Sequence, residues 1–251
     1  MEIIDELKPA LAAISGGLGD IGQAMANALR AAGAEVALGD LAEEAGGDHY
    51  YSQVDVTDAD SVERWYGEVA AHFGCTPNII IPNAATATFR RHLKITAEDW
   101  KREIDVNLNG AFYFADSGTR RLVAEARTGR VIFLGSWAGH APHPTLPAYS
   151  AAKAGLRMLT KTLALELAPR DILVNEVAPG YVHAGLSGKV FDADPQIAEE
   201  ARRRVPDRKL ITAEEVAKLV LHLCGPASTH LIGTTILQDG GLSLLQGPFT
   251  E

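Results

Sequence analysis

Leu11-Ala12-Ala13-Ile14-Ser15-Gly16-Gly17-Leu18-Gly19-Asp20-Ile21-Gly22 passes from an apolar strand through a glycine-rich turn directly into a helix, read from Ile21 to Ala32. Glycines at such a junction permit a tight turn and the close approach of a charged group to the backbone. The first amides of the helix then face that group, which makes the junction an anion site. A second strand follows at Glu35–Gly39 and ends on Asp40, 18 residues past Gly22. Strand, glycine turn, helix and a following acid together point to a dinucleotide whose pyrophosphate lies on the turn and whose adenosine ribose is held by the acid. Positions 15–22 and 39–41 contain no Lys or Arg. A ribose 2′-phosphate would meet only the Asp40 carboxylate, so the expected cofactor is NAD(H) rather than NADP(H).

Outward from this unit, short apolar runs keep alternating with amphipathic stretches. Strands are expected at Tyr51–Val54, Asn78–Ile81, Val131–Leu134, Ile172–Val177 and Thr235–Leu237. Helices are expected at Asp58–Phe73, with Asp58 as its cap, at Ala97–Ala126 as one long helix, at Ala148–Ala168 and at Ala213–Leu223. This order predicts an α/β fold of the Rossmann type: a doubly wound, mostly parallel sheet with helices on both faces, in a single domain over residues 1–251. One stretch breaks the rhythm. Residues 184–210 are long and charged and are expected to form a lid over the substrate.

Composition narrows the class. Of 251 residues 47% are hydrophobic and 22% charged, enough for a sizeable core and too apolar for disorder. Lys plus Arg is 23 against 32 Asp plus Glu, a net charge of −9, the wrong sign for a protein that grips nucleic-acid phosphates. No uncharged apolar run reaches a bilayer-spanning length, and Met1 to Glu6 is acidic where an export signal would be basic, so a cytoplasmic protein without membrane contact is expected. Cys75 and Cys224 cannot form a disulfide framework, and their spacing to His72 and His222 is too irregular for a metal site. Both are read as small apolar fillers, and no metal is expected.

Tyr149 and Lys153 lie four apart at the start of a helix and so share one face. A phenol titrates near pH 10, and an ammonium neighbour favours the phenolate, which would suit Tyr149 as a general base. Ser136 lies just past the strand Val131–Leu134, at the end of the sheet where open α/β folds bind ligands.

With these residues the chain resembles the short-chain dehydrogenase/reductase family, in its NAD-dependent single-domain form. The likeness spans almost the whole sequence: the glycine turn, Asp40, Asp55-Val56, Asn83-Ala84-Ala85, Asp105-Val106-Asn107, Ser136, Tyr149-Ser150-Ala151-Ala152-Lys153, Pro179-Gly180 and Asp239-Gly240-Gly241. The resemblance implies that Tyr149 is the acid or base and that Ser136 binds the substrate oxygen. It implies that Lys153 holds the nicotinamide ribose and lowers the Tyr149 pKa, and that Asn107 keeps a helix irregularity with a water linked to Lys153. Ser15, Gly16, Gly19, Asp20, Ile21, Gly22, Asp40, Asp55, Val56, Asn83, Ala84, Ala85, Pro179, Gly180 and Val182 would line the cofactor, together with Tyr149 and Lys153. Relatives usually form homotetramers, and the tail Leu244 to Glu251 could reach a neighbouring subunit.

Four positions depart from the family pattern. Ser15 replaces Thr and keeps its hydroxyl. Asp20 stands where the middle glycine belongs and is expected to cap the helix and face away. Ala85 ends the Asn-Ala-Gly motif, and Ala184 replaces a threonine that helps bind the carboxamide, leaving a backbone contact at Val182. The residues expected around the reacting carbon are Trp137, His140, His143, Tyr181 and His183, which suit a small sugar, sugar acid or polyol. A 3-oxoacyl thioester reductase is the rival enzyme, and a non-catalytic dinucleotide-binding redox sensor the rival outside enzymology.

Overall fold

In the computed structural model, which describes residues 7, 9–43 and 49–244, the first strand lies at the centre of the molecule. β1 (Leu11–Ser15) pairs in parallel with β2 (Glu35–Asp40) on one side and with β4 (Ile79–Pro82) on the other, with Leu11 opposite Glu35 and Ala12 opposite Ile79. With β3 (Tyr50–Gln53), β5 (Gly129–Leu134), β6 (Ile172–Pro179) and β7 (Thr235–Gln238) they form a parallel seven-stranded sheet in the order β3-β2-β1-β4-β5-β6-β7. Strand order reverses between β1 and β4. That crevice, outside the carboxyl ends of the strands, is where an open α/β sheet binds its ligand.

Most strand residues are apolar because helices cover both faces. Ala12 and Ile14 of β1 pack toward the face that carries α1 (Asp20–Ala31) and α8 (Ala213–Cys224), whereas Leu11 and Ala13 join the core beneath α2 (Ala59–Phe73). α2 begins as expected, with the Asp58 carboxylate accepting the Asp60 N–H at 3.0 Å, and stops at Gly74, whose φ of 73° ends a helix at little cost. α5 (Pro147–Leu167) follows β5 and packs on the same face of the sheet.

Three expectations change. The single helix expected over Ala97–Ala126 is α3 (Ala97–Ile104), a π-helical turn at Asp105–Gly110, and α4 (Ala111–Ala124). One extra residue in a turn leaves the apolar stripe nearly in phase, which is why periodicity alone shows an unbroken helix. The segment 184–210 is not an irregular loop but two helices, α6 (Gly185–Ala193) and α7 (Pro195–Arg204). Phe191, Ala198 and Ala201 give it a small core of its own, with Tyr181 and Leu210 packed against it. Its ends are tied by a parallel bridge between Val182 and Ile211. Of the two cysteines, Cys224 is buried as a filler should be, but Cys75 is exposed, because it follows the glycine that ends α2. The tail beyond Leu244 and the acidic N-terminal residues 1–6 lie outside the described residues.

Candidate active site

The glycine turn is held by β1 and β4 together. The Ser15 hydroxyl accepts the N–H groups of Asn83 and Ala84 at 3.1 and 3.2 Å, and the Asn83 amide donates to the carbonyls of Ser15 and Gly16. Here serine does the work of the expected threonine, and Asn83 steadies two strand ends. Gly16 has φ of 63°, and a Cβ on it would lie 2.7 Å from the Ala84 Cα. A Cβ at Gly22 would lie 2.4 Å from the Gly16 carbonyl. Gly19 is the cap of α1, and no side chain occupies the amides of the first turn. This is a cradle with the dimensions and polarity for a pyrophosphate, so the residues fit a dinucleotide.

Asp40 fits the ribose position. One carboxylate oxygen accepts the Leu18 N–H at 3.1 Å and the other the Leu41 N–H at 2.8 Å, which fixes the group against the glycine turn with lone pairs to spare. Asp55 and Leu41 line a cavity of about 470 Å³ together with Gln53, Arg64 and Glu68; neither Asp40 nor Val56 lines it. Asp55 is held in a local turn by the Thr57 N–H at 2.8 Å, and the next residue, Val56, is buried. Gly180 passes so close to Asp239 that a Cβ would lie 2.8 Å from the Asp239 Cα. Val182 is buried, and its bridge to Ile211 uses the flanking Tyr181 carbonyl and His183 N–H, which leaves its own N–H on the opposite side.

Asp20 corrects an expectation. The cap is Gly19, so Asp20 is the first helical residue, and its carboxylate accepts the Gly185 N–H at 2.7 Å instead of capping α1. It ties the glycine turn to the first residue of α6.

The candidate catalytic groups come from two elements. β5 delivers Ser136, which is buried and accepts the Ala138 N–H at 3.2 Å; the first turns of α5 deliver Tyr149 and Lys153 on one face. The Lys153 ammonium is 5.5 Å from the centre of the Tyr149 ring and donates to the Leu134 carbonyl at 2.7 Å. Burial pushes Tyr149 up to about 12; a hydrogen bond with Ser136 pulls it down and the charge of Glu103 pushes it up. Burial draws Lys153 down to about 8, against the opposing charge of Glu176. The expected lowering of Tyr149 by its lysine is therefore absent from the cofactor-free site. Desolvation dominates the Tyr149 shift, and Lys153 is turned onto a carbonyl.

Asn107 occupies the π-helical turn, fully buried. Its amide donates to the carbonyls of Thr86 and Glu103 at 2.8 Å each, and its oxygen accepts the Thr86 N–H. The helix irregularity and the residues after Asn83-Ala84-Ala85 are thus one construction.

Of the five residues expected at the substrate, three gather. The Trp137 ring lies 5.5 Å from His143 and 5.3 Å from Tyr181, forming an aromatic wall beside Ser136. Burial and nearby Arg204 of α7 lower the His143 pKa. His140 does not join them: its Nδ1 meets the Arg157 guanidinium at 2.8 Å, behind α5. His183 pairs with Asp192 at 2.9 Å and packs on Phe191, so it braces α6. Sequence reading missed the buried acids Glu103 and Glu176. Glu176 did leave a signal, as a charge inside the otherwise uncharged run Ile172–Pro179.

With this geometry the comparisons are specific. A family model described as enoyl-(acyl carrier protein) reductase matches residues 17–243. A short-chain type dehydrogenase/reductase from Mycobacterium marinum superposes with a TM-score of 0.87 at 30% identity, covering 94% of this chain and 96% of that one. The chain belongs to the short-chain dehydrogenase/reductase family. Accordingly it is an oxidoreductase of alcohols and ketones that uses a nicotinamide dinucleotide. Among its relatives, 3beta-hydroxysteroid dehydrogenase 1 of Eggerthella lenta is 32% identical over 255 residues, 97% of each chain. A provisionally named 2-deoxy-d-gluconate 3-dehydrogenase from Agrobacterium tumefaciens, solved with bound NADP, gives a TM-score of 0.86 at 26% identity, covering 96% of this chain and 99% of that one.

Proposed function

We propose that this short-chain dehydrogenase/reductase is NAD(H)-dependent and interconverts a secondary alcohol and a ketone on a small polar substrate: a sugar, sugar acid or polyol. The observation that carries the reading is the convergence of Ser136, Tyr149 and Lys153 at the end of β5, beside a glycine cradle closed by Asp40. In oxidation the Tyr149 oxygen takes the hydroxyl proton, and in reduction it returns it. Ser136 holds the substrate oxygen, and Lys153 would hold the nicotinamide ribose. When bound, the nicotinamide would supply hydride transfer at the substrate carbon. Asn107 holds the π-turn against which Lys153 and its water are placed.

Preference for NAD(H) is supported by Asp40, a fixed carboxylate where the 2′-phosphate of NADP would lie, even though a structural relative carries NADP. The polar substrate is supported by His143 and Arg204 at the edge of the aromatic wall. Apolar Trp100, Met158 and Leu165 are exposed on α3 and α5 and support a homotetramer. No helix among the described residues is long and apolar enough to cross a membrane. Two free cysteines, one of them exposed, agree with a reducing, cytoplasmic setting.

The test mixes the protein with NAD+ or NADP+ and a panel of polyols, sugar acids, 3-hydroxyacyl thioesters and 3-hydroxysteroids. NADH formation from the polar set, lost in Tyr149→Phe, is the expected result. Turnover of the thioesters alone would select the rival reductase. Tight NAD+ binding without turnover of any substrate would select the redox sensor.

A further inference from the structure

Glu176 is the only charged residue in β6, and it is completely buried. Strand alternation places it on the face of Ile172 and Val174, toward α5. One carboxylate oxygen accepts the Thr235 hydroxyl of β7 at 2.6 Å; the other has no partner. That second oxygen fills the space over Gly135, where a Cβ would lie only 1.8 Å from it. Gly135 sits between Leu134, whose carbonyl receives Lys153, and Ser136. The carboxylate is therefore wedged under the short piece of backbone that serves both groups.

Its electrostatic surroundings are one-sided. Burial raises the Glu176 pKa; against it act the Thr235 hydroxyl of β7 and the charges of Lys153, Arg157 and Lys161, which repeat every four residues along one stripe of α5. Arg157 also meets His140, whose other ring nitrogen is buried without a partner and which feels Asp239. Burying a carboxylate here is costly unless its charge is used, and an apolar side chain would fill β6 more cheaply.

We propose that Glu176 is a positioning residue for the redox reaction: its carboxylate is the counter-charge that keeps Lys153 protonated at neutral pH, ready for the ribose and for Tyr149. The proposal rests on the catalytic reading of Tyr149 and Lys153 given above. Burial already draws Lys153 down to about 8 with Glu176 working against it. Without that negative charge the ammonium would lose its proton closer to neutrality, and a neutral amine does not favour a phenolate.

The experiment is a pH titration of the cofactor-free protein by carbon-13 NMR with lysine labelled at Cε. The Lys153 signal is assigned by its loss in Lys153→Arg. In Glu176→Gln the Lys153 midpoint is expected about one pH unit lower than in the wild type. Thr235→Val, which removes the hydroxyl that favours the ionised carboxylate, should move it the same way by less, and it serves as the second variant if the first folds poorly. Turnover of Glu176→Gln at neutral pH should fall about tenfold with the unfolding temperature kept or raised. An unchanged Lys153 midpoint in both variants overturns the proposal, whatever happens to stability, because a merely structural glutamate moves stability alone. Wild-type turnover by Tyr149→Phe would instead remove the catalytic reading and leave the NMR comparison standing.

Discussion

The cofactor end and the substrate end of the site are built differently. At the proposed cofactor end, close backbone packing sets the shape: the Ser15 and Asn83 side chains lock two strand ends, and Gly16 and Gly22 stand where a single added carbon would collide with backbone. At the proposed substrate end, edge-on ring contacts of Trp137 with His143 and Tyr181 and a pair of short helices with a small separate core form the wall. The first construction tolerates almost no variation and so fixes one class of ligand. The second can be repacked without disturbing the sheet, and this is how one reaction serves many substrates.

Substitutions can break this contrast. Replacing Tyr149, where the two ends meet, should have the largest effect: Tyr149→Phe is expected to lower turnover about 10³-fold with dinucleotide affinity, followed by NADH fluorescence, nearly unchanged. Asp40→Arg should come next, shifting the NADP+/NAD+ ratio of kcat/KM by about 100-fold or more toward NADP+; an unmoved ratio would place ribose recognition elsewhere. Gly22→Ala should cost about 1–3 kcal/mol in thermal unfolding and weaken cofactor binding at least tenfold, since backbone on both sides must shift. Trp137→Ala should reduce kcat/KM for the substrate about tenfold and leave the dinucleotide dissociation constant alone, which would confirm that the two ends are separable.

The smallest effect expected is on stability in acid. Burial lowers the pKa values of His140 and His143 below 6.5, so the unfolded chain takes up protons there before the folded one does. Stability should fall as the pH drops below about 6.5 and level off below the folded values, and His143→Gln should flatten part of that slope in denaturant titrations.

The same contrast explains what could be read from the residues alone. The sheet, its helices and the cofactor end follow from apolar runs, glycines and one acid, because local geometry there admits few alternatives. Ser136, Tyr149 and Lys153 were legible because a strand end and a helical repeat of four place them. The substrate end was legible only in part. His140 and His183 are in the expected segments, yet their partners Arg157 and Asp192 come from packing that no local pattern encodes. The π-turn at Asn107 leaves no mark in the helical periodicity and was expected only from the family resemblance. Asp20 was misread because its partner, Gly185, is 165 residues away.

The parallel bridge between Val182 and Ile211 has an evolutionary consequence. Since the chain leaves the sheet and returns at neighbouring points, the two helices between them are a cassette. Longer, shorter or unrelated cassettes could be spliced between the same anchors at little entropic expense, since closure cost grows only slowly with length. New chemistry at the mouth of the enzyme could thus be acquired by insertion and deletion, without point changes in the part that holds the nucleotide.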